Sequence, residues 1–377
     1  MKILMIGGSG IISSEICQLA VQKGNSVTIF NRGRRREEIN PSAKLIIGDV
    51  RNDDVVNIKN KLEKEYDVVI DFISYKPQQL KKTLDITANR CRQFIFVSSA
   101  TVYSPDAEPP YNEESKIGNP LWAYAQDKAD CEKWIKETKL PCNYTIIRPY
   151  VTYSHTRIPY QIAPIEYYTI INRLKCHKPV VICGKETKCT LTTAKDFAVG
   201  AYGLFLDSNS YGETFNVIGD YQTTWGNVIK ILAEKLHIEP ELIDIPYEYI
   251  KTNRNHCGFD ADEVLGDKSR DMVFDNRKIK SLVPSFTHFC NFDDAIDDSI
   301  RYFNEQSHQA VNYKWDAGID RFIEKYAHKN RIILNYDKLS LGAYGNEITE
   351  EQKKVYMNNR TDLRKVVSKV KRKLIGK

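Results

Sequence analysis

At 377 residues the chain is long enough for about two domains and an extension. With 42% hydrophobic and 28% charged residues it has apolar mass for a sizeable core, which excludes bulk disorder. The formal net charge is +6, and seven Lys/Arg against one Asp in residues 361–377 account for all of it, so residues 1–360 are neutral and lack the unbalanced basic surface of a nucleic-acid binder.

In chain order, "KILMIGG" (2–8) is an apolar run ending in glycines, as a buried parallel strand does. "SEICQLAVQKG" (14–24) has helical spacing and stops at Gly24. Strands follow at 26–31, 44–49 and 67–74, with a helix over 53–64 and another over 77–90 that opens on Pro77. "QFIFVSS" (93–99) is strand, 122–137 is helix, and "YTIIRP" (144–149) is strand. Apolar strands alternating with helices predict an α/β domain, a Rossmann-type doubly wound parallel sheet over residues 1–150. Past Pro149 the alternation weakens. "ETFNVIG" (213–219) returns as a strand and 224–236 as a helix capped by Thr224. The expected organisation adds returning segments at about 190–219, a smaller mixed α/β substrate lobe over 151–310, and a polar helical extension over 311–377.

The nine cysteines form no C-x-x-C pair and no Cys/His set with zinc spacing, so no metal site is expected. Scattered thiols suit a reducing compartment, and the expected localisation is cytoplasmic. The apolar N-terminus is too short for a signal segment, and no run of about 18 apolar residues is present.

The first strand ends in "GGSGIIS". Gly7 permits a tight turn, Gly10 a close backbone approach, and the following helix N-terminus offers N–H groups to a pyrophosphate. Small Ser13 stands at the third position. The second strand ends "FNRGRRR". Where an NAD site carries a carboxylate for the ribose 2′-hydroxyl, this chain has Asn31, then Arg32, Arg34, Arg35 and Arg36. Guanidinium groups suit a 2′-phosphate, so NADP is favoured over NAD. The expected cofactor-binding set is Gly7, Ser9, Gly10, Ile11, Ile12, Asn31, Arg32, Arg35, Asp49, Val50, Phe72 and Lys128.

With "GDV" (48–50), "VSSATVY" (97–103), "YAQDK" (124–128) and "IIRP" (146–149), and weaker echoes at 213–219 and 275–282, the chain resembles the extended short-chain dehydrogenases/reductases over roughly residues 1–305. This is the NAD-dependent epimerase/dehydratase family. The resemblance implies Ser99, Tyr124 and Lys128 as catalytic triad. Lys128, one helical turn from Tyr124, is expected to lower the phenol's pKa by its charge. Tyr124 then exchanges a proton with a substrate hydroxyl while hydride moves to or from the nicotinamide.

Ala100 and Thr101 stand where sugar dehydratases of the family carry an Asp–Glu pair, which argues against that elimination. Ser154 stands where relatives often have Gly. The leading expectation is epimerisation or 4-keto reduction of a sugar nucleotide. NADPH-dependent reduction of another small carbonyl compound and a non-catalytic regulatory role are the alternatives. Thr101, Arg157, Arg173 and Arg270 are the substrate-binding candidates. A homodimer is the family's default, and no nucleic-acid partner is expected. "LRKVVSKVKRKLI" (363–375) reads as a basic amphipathic helix, able to make a weak peripheral contact with an anionic membrane.

Overall fold

A computed structural model describes residues 1–287, 289–345 and 348–360. The predicted amphipathic tail helix lies outside them. The chain's described residues divide into two compact units, each described by itself: residues 1–159, 188–223 and 266–299, and residues 160–187, 224–265 and 300–360.

The first unit opens with β1 (Lys2–Ile6), α1 (Ile11–Gln22), β2 (Ser26–Asn31), β3 (Lys44–Ile47), α2 (Val55–Lys61), β4 (Tyr66–Asp71), α3 (Pro77–Thr87), β5 (Cys91–Val97), α4 (Ala123–Glu137), β6 (Asn143–Arg148) and β7 (Thr152–Tyr153). After α5 (Tyr168–Lys175) and β8 (Val180–Ile182) of the second unit, the first resumes with β9 (Lys188–Thr193), α6 (Ala194–Gly203), β10 (Thr214–Asn216) and β11 (Tyr221–Thr224). Seven parallel strands lie in the order β10-β6-β5-β4-β1-β2-β3. The order reverses beside β1, where open α/β sheets bind ligands at the strands' carboxyl ends. Ile3 and Met5 point into one core layer with α1 and α6, and Leu4 and Ile6 into the other with α2 and α3. Burial on both faces is why β1 reads as an unbroken apolar run.

Helix α1 begins three residues earlier than its periodicity predicts. The Gly10 N–H donates to Ser13 Oγ at 2.8 Å and Ser13 Oγ donates back to the Gly10 carbonyl at 3.0 Å, so a serine inside the first turn does the capping. Ser13, expected only to be small enough for the third position, thus extends the helix to the glycines through its hydroxyl.

The rest of the chain is α7 (Trp225–Lys235), β12 (Leu242–Asp244), α8 (Tyr247–Thr252), α9 (Ala261–Glu263), α10 (Arg277–Leu282), α11 (Phe292–Asn304), α12 (Tyr313–Asn330) and α13 (Glu350–Arg360). Residues 266–299 pack with the first unit, beyond the returning stretch expected at 190–219. The polar extension is also more than an appendage. Helix α12 buries Trp315, Ala317, Ile319, Phe322 and Ile323 together with Asp316 and Asp320. Arg173 and Lys178 neutralise the two aspartates inside the second unit. All nine cysteines are free thiols. Among the described residues, no group of His, Cys, Asp and Glu is arranged to hold a metal, and no helix is long and apolar enough to cross a membrane.

Candidate active site

The carboxyl ends of β1, β2, β3 and β4 wall a cleft of about 490 Å³ within the first unit. Its floor is the glycine loop. Gly7 and Gly8 have φ of +111° and +84°, and a Cβ on Gly8 would lie 2.6 Å from Ile29 Cγ2, so neither position accepts a side chain. Helix α1 then points its N-terminal N–H groups at the cleft. Asn31 braces the loop. Its Nδ2 donates to the Gly7 carbonyl at 2.8 Å, and its Oδ1 accepts the Gly33 N–H at 2.7 Å.

Of the expected cofactor-binding residues, Gly7, Ser9, Gly10, Ile12, Asn31, Arg32, Arg35, Asp49, Val50 and Phe72 line the cleft; Ile11 and Lys128 do not. Arg34 of the arginine run lines it as well, and so do Gly8, Arg51, Ile73 and Tyr75, which the expected set lacks. The available signal was their position just after β1, β2, β3 or β4, at the strands' carboxyl ends. Burial works to raise the Asp49 carboxyl, but the Arg51 and Asn52 hydrogen bonds and the Arg32 guanidinium hold it below the usual range. An adenosine end fits this chemistry, with Asp49 kept ionised and arginines beside it. A cradle where a Cβ would clash, a helix N-terminus and facing cations together suit a dinucleotide's phosphates.

Ser99 ends the stretch after β5 and caps the short turn of residues 100–102. Thr101 Oγ1 donates to Ser99 Oγ at 3.0 Å, and the Ser99 side chain acts to lower the Tyr124 phenol. Tyr124 lies in the first turn of α4, with its ring 4.7 Å from Trp122 and 5.7 Å from Tyr75. The charge of Arg157, in the stretch after β7, acts to lower the phenol. Arg270 instead ties backbone, donating to the Gly266 carbonyl at 2.7 Å and the Tyr103 carbonyl at 3.0 Å.

Two expectations need correcting. Arg173 is no substrate ligand: its side chain is fully buried in the second unit, bonded to Asp316 at 2.6 Å and Asp320 at 2.7 Å. The influence of Lys128 on Tyr124 also differs. Lys128 Nζ donates to the carbonyls of Ser74 at 2.8 Å and Val97 at 2.7 Å. Burial drives the Tyr124 phenol well above the ordinary tyrosine range, Tyr75 adds to the rise, and Ser99 and Arg157 only moderate it. Burial also lowers Lys128 to about 8, against the opposing charge of Asp71. One turn further along α4, Glu132 is fully buried and paired with Arg148 of β6 at 2.6 Å, which fixes the rotation of the helix that carries Tyr124 and Lys128.

Residues 3–217 match the model described as the NAD dependent epimerase/dehydratase family. The chain is 26% identical over 261 residues to a chloroplast stem-loop binding protein of 41 kDa from Arabidopsis thaliana, covering 64% of this chain and 65% of the relative. It is 28% identical over 152 residues to UDP-glucose 4-epimerase from Lactobacillus helveticus, covering 35% of this chain and 46% of the relative. The chain therefore spans about half to two thirds of these relatives' lengths. Among solved structures, UDP-glucuronic acid 4-epimerase from Bacillus cereus in complex with UDP-glucuronic acid and NAD superposes with a TM-score of 0.64 at 17% identity, covering 81% of this chain and 99% of that one. That likeness is one of fold.

Proposed function

The chain belongs to the NAD dependent epimerase/dehydratase family, and from that premise we propose that it is an NAD(P)-dependent epimerase or keto reductase acting on a sugar nucleotide. The observation that carries the reading is a glycine-floored cleft whose lining residue Tyr75 stands 5.7 Å from the ring of Tyr124, with Lys128 one turn along the same helix. Epimerase relatives and an NAD-bound structural neighbour support it.

In this reading Gly7, Gly10 and the first turn of α1 hold the pyrophosphate, and Asp49 and Val50 meet the adenosine. Arg32 and Arg35 take a 2′-phosphate, which favours NADP. A bound nicotinamide supplies the acceptor or donor of hydride. Ser99 holds the reacting oxygen of the sugar, and Tyr124 moves its proton. Tyr124 is a neutral phenol at physiological pH, and burial holds it further from ionisation, so it donates its proton to an oxygen gaining negative charge, a step that carbonyl reduction and the return half of an epimerisation share. Thr101 orients Ser99, and Arg157 is the substrate-binding cation of the site. Arg270 shapes the loop beside it. Elimination has no carboxylate at Ala100 or Thr101 to serve it.

The test has two parts. Mass spectrometry of the gently denatured protein identifies a retained nucleotide; incubation with UDP-sugars, and with UDP-4-keto sugars plus NADPH, is followed by NMR at C4. Inversion or reduction at C4 is the expected result, and inertness toward both sets sinks the reading. A second reading rests on the stem-loop binding relative, whose match is the longer of the two. If the protein instead shifts an RNA hairpin with a steep salt dependence and turns over no sugar nucleotide, that reading replaces the first.

A further inference from the structure

We propose that Tyr75 controls whether the nicotinamide half of a bound dinucleotide reaches Lys128: its ring closes over the ammonium and has to turn aside for the ligand. This rests on the dinucleotide reading given above.

Tyr75 lines the cleft and is 38% exposed, so its ring is not held there by the core. What it touches is two cations and a second tyrosine ring. Lys128 Nζ lies 5.0 Å from the ring centroid, Arg51 Cζ 5.5 Å, and the Tyr124 ring 5.7 Å. Arg51 follows Asp49 and Val50 at the adenosine end, while Tyr124 and Lys128 belong to the reacting end. One side chain thus bridges the two ends that an extended dinucleotide has to join.

The ammonium has three N–H groups. Two are used on the carbonyls of Ser74 and Val97, and aromatic faces, Tyr75 and Phe96, lie over the cation. A buried cation over an aromatic face is stabilised, so the ring and a ligand hydroxyl compete for the same ammonium. The backbone below Tyr75 is pinned. Asp71 Oδ1 accepts the N–H groups of Ile73 and Ser74, and Gln79 Oε1 accepts that of Tyr75 at 2.8 Å. The motion available is therefore rotation of the side chain with the loop in place.

The experiment titrates wild type, Tyr75→Phe and Tyr75→Ala with NADPH and NADH, read by nicotinamide fluorescence. Adenosine 2′,5′-bisphosphate and ADP, which represent the adenosine half alone, are titrated in parallel by calorimetry. Removing a closed state that competes with the ligand raises apparent affinity in proportion to its population. Tyr75→Ala is expected to bind the preferred dinucleotide about tenfold tighter, with the half-ligand changed by less than about twofold and Tyr75→Phe following wild type. Unchanged or weaker dinucleotide binding in Tyr75→Ala overturns the proposal, as does an equal change for dinucleotide and half-ligand. A wild type that binds neither NADPH nor NADH removes the dinucleotide reading itself, and the role of Tyr75 with it.

Discussion

Lys128 and Lys178 are each 1% exposed, yet they are built for different ends. Lys178 sits between two carboxylates, Asp316 at 2.5 Å and Asp320 at 2.6 Å, and Arg173 completes a buried tetrad in the second unit. Lys128 bonds only carbonyls among protein acceptors that touch it, and its opposing charge, Asp71, acts without a hydrogen bond. A fully paired buried cation is fixed. One held by carbonyls and ring faces retains positive charge that a ligand can use. Burial alone therefore does not separate a structural lysine from a functional one; the chemistry of its partners does.

The largest effect should come from breaking the tetrad. Asp320→Ala leaves Arg173 and Lys178 short of one countercharge, and about 3–5 kcal/mol of stability is expected to vanish in urea unfolding. A loss below about 1 kcal/mol would mean the cluster is hydrated and the contrast with Lys128 is false. Next comes Tyr124→Phe, with a fall in turnover of about a hundredfold or more and near-normal dinucleotide binding and melting temperature. Near-wild-type turnover on the true substrate rules out Tyr124 as the proton carrier. Arg32→Ala should lower preference for NADP over NAD by about tenfold, the scale of one charge-assisted contact to phosphate. A wild type that already prefers NAD contradicts the assignment.

The sharpest test of the two lysines is a pH profile. Burial lowers Lys128 from 10.5 to about 8. Between those values the unfolded chain binds more protons than the folded one, so this group's contribution makes stability rise with pH, by up to about 1 kcal/mol per pH unit. Turnover should fall over the same range as the ammonium is lost. The variant Lys128→Met should flatten the extra rise in stability seen in urea titrations from pH 8 to 10. If wild type and variant have parallel profiles, Lys128 is not the titrating group.

The sheet was legible because its strands are buried on both faces and so read as plain apolar runs, as in "KILMI" and "FIFV". The glycine loop was legible because its chemistry is local, within seven residues. The start of α1 was hidden by a hydroxyl that caps its own helix, a contact that spacing does not reveal. Arg173 was misread because its partners are 143 and 147 residues away, and an arginine's sequence neighbours do not announce a distant aspartate. Tyr75 was invisible for a related reason: its place beside Lys128 is set by the parallel pairing of β4 with β5, where Ser74 and Val97 converge on one ammonium.

The grip of Asn31 on Gly7 constrains how cofactor choice can drift in this lineage. An acid at position 31 is the shortest mutational route to ribose recognition. Here it would exchange the amide that donates to the Gly7 carbonyl for an oxygen that repels it, loosening the phosphate loop at the same step. The two gains cannot be selected together by one substitution. A path from one cofactor to the other has to run through the arginines first, or through a compensating donor for Gly7, so the order of mutations is restricted by a single side-chain amide.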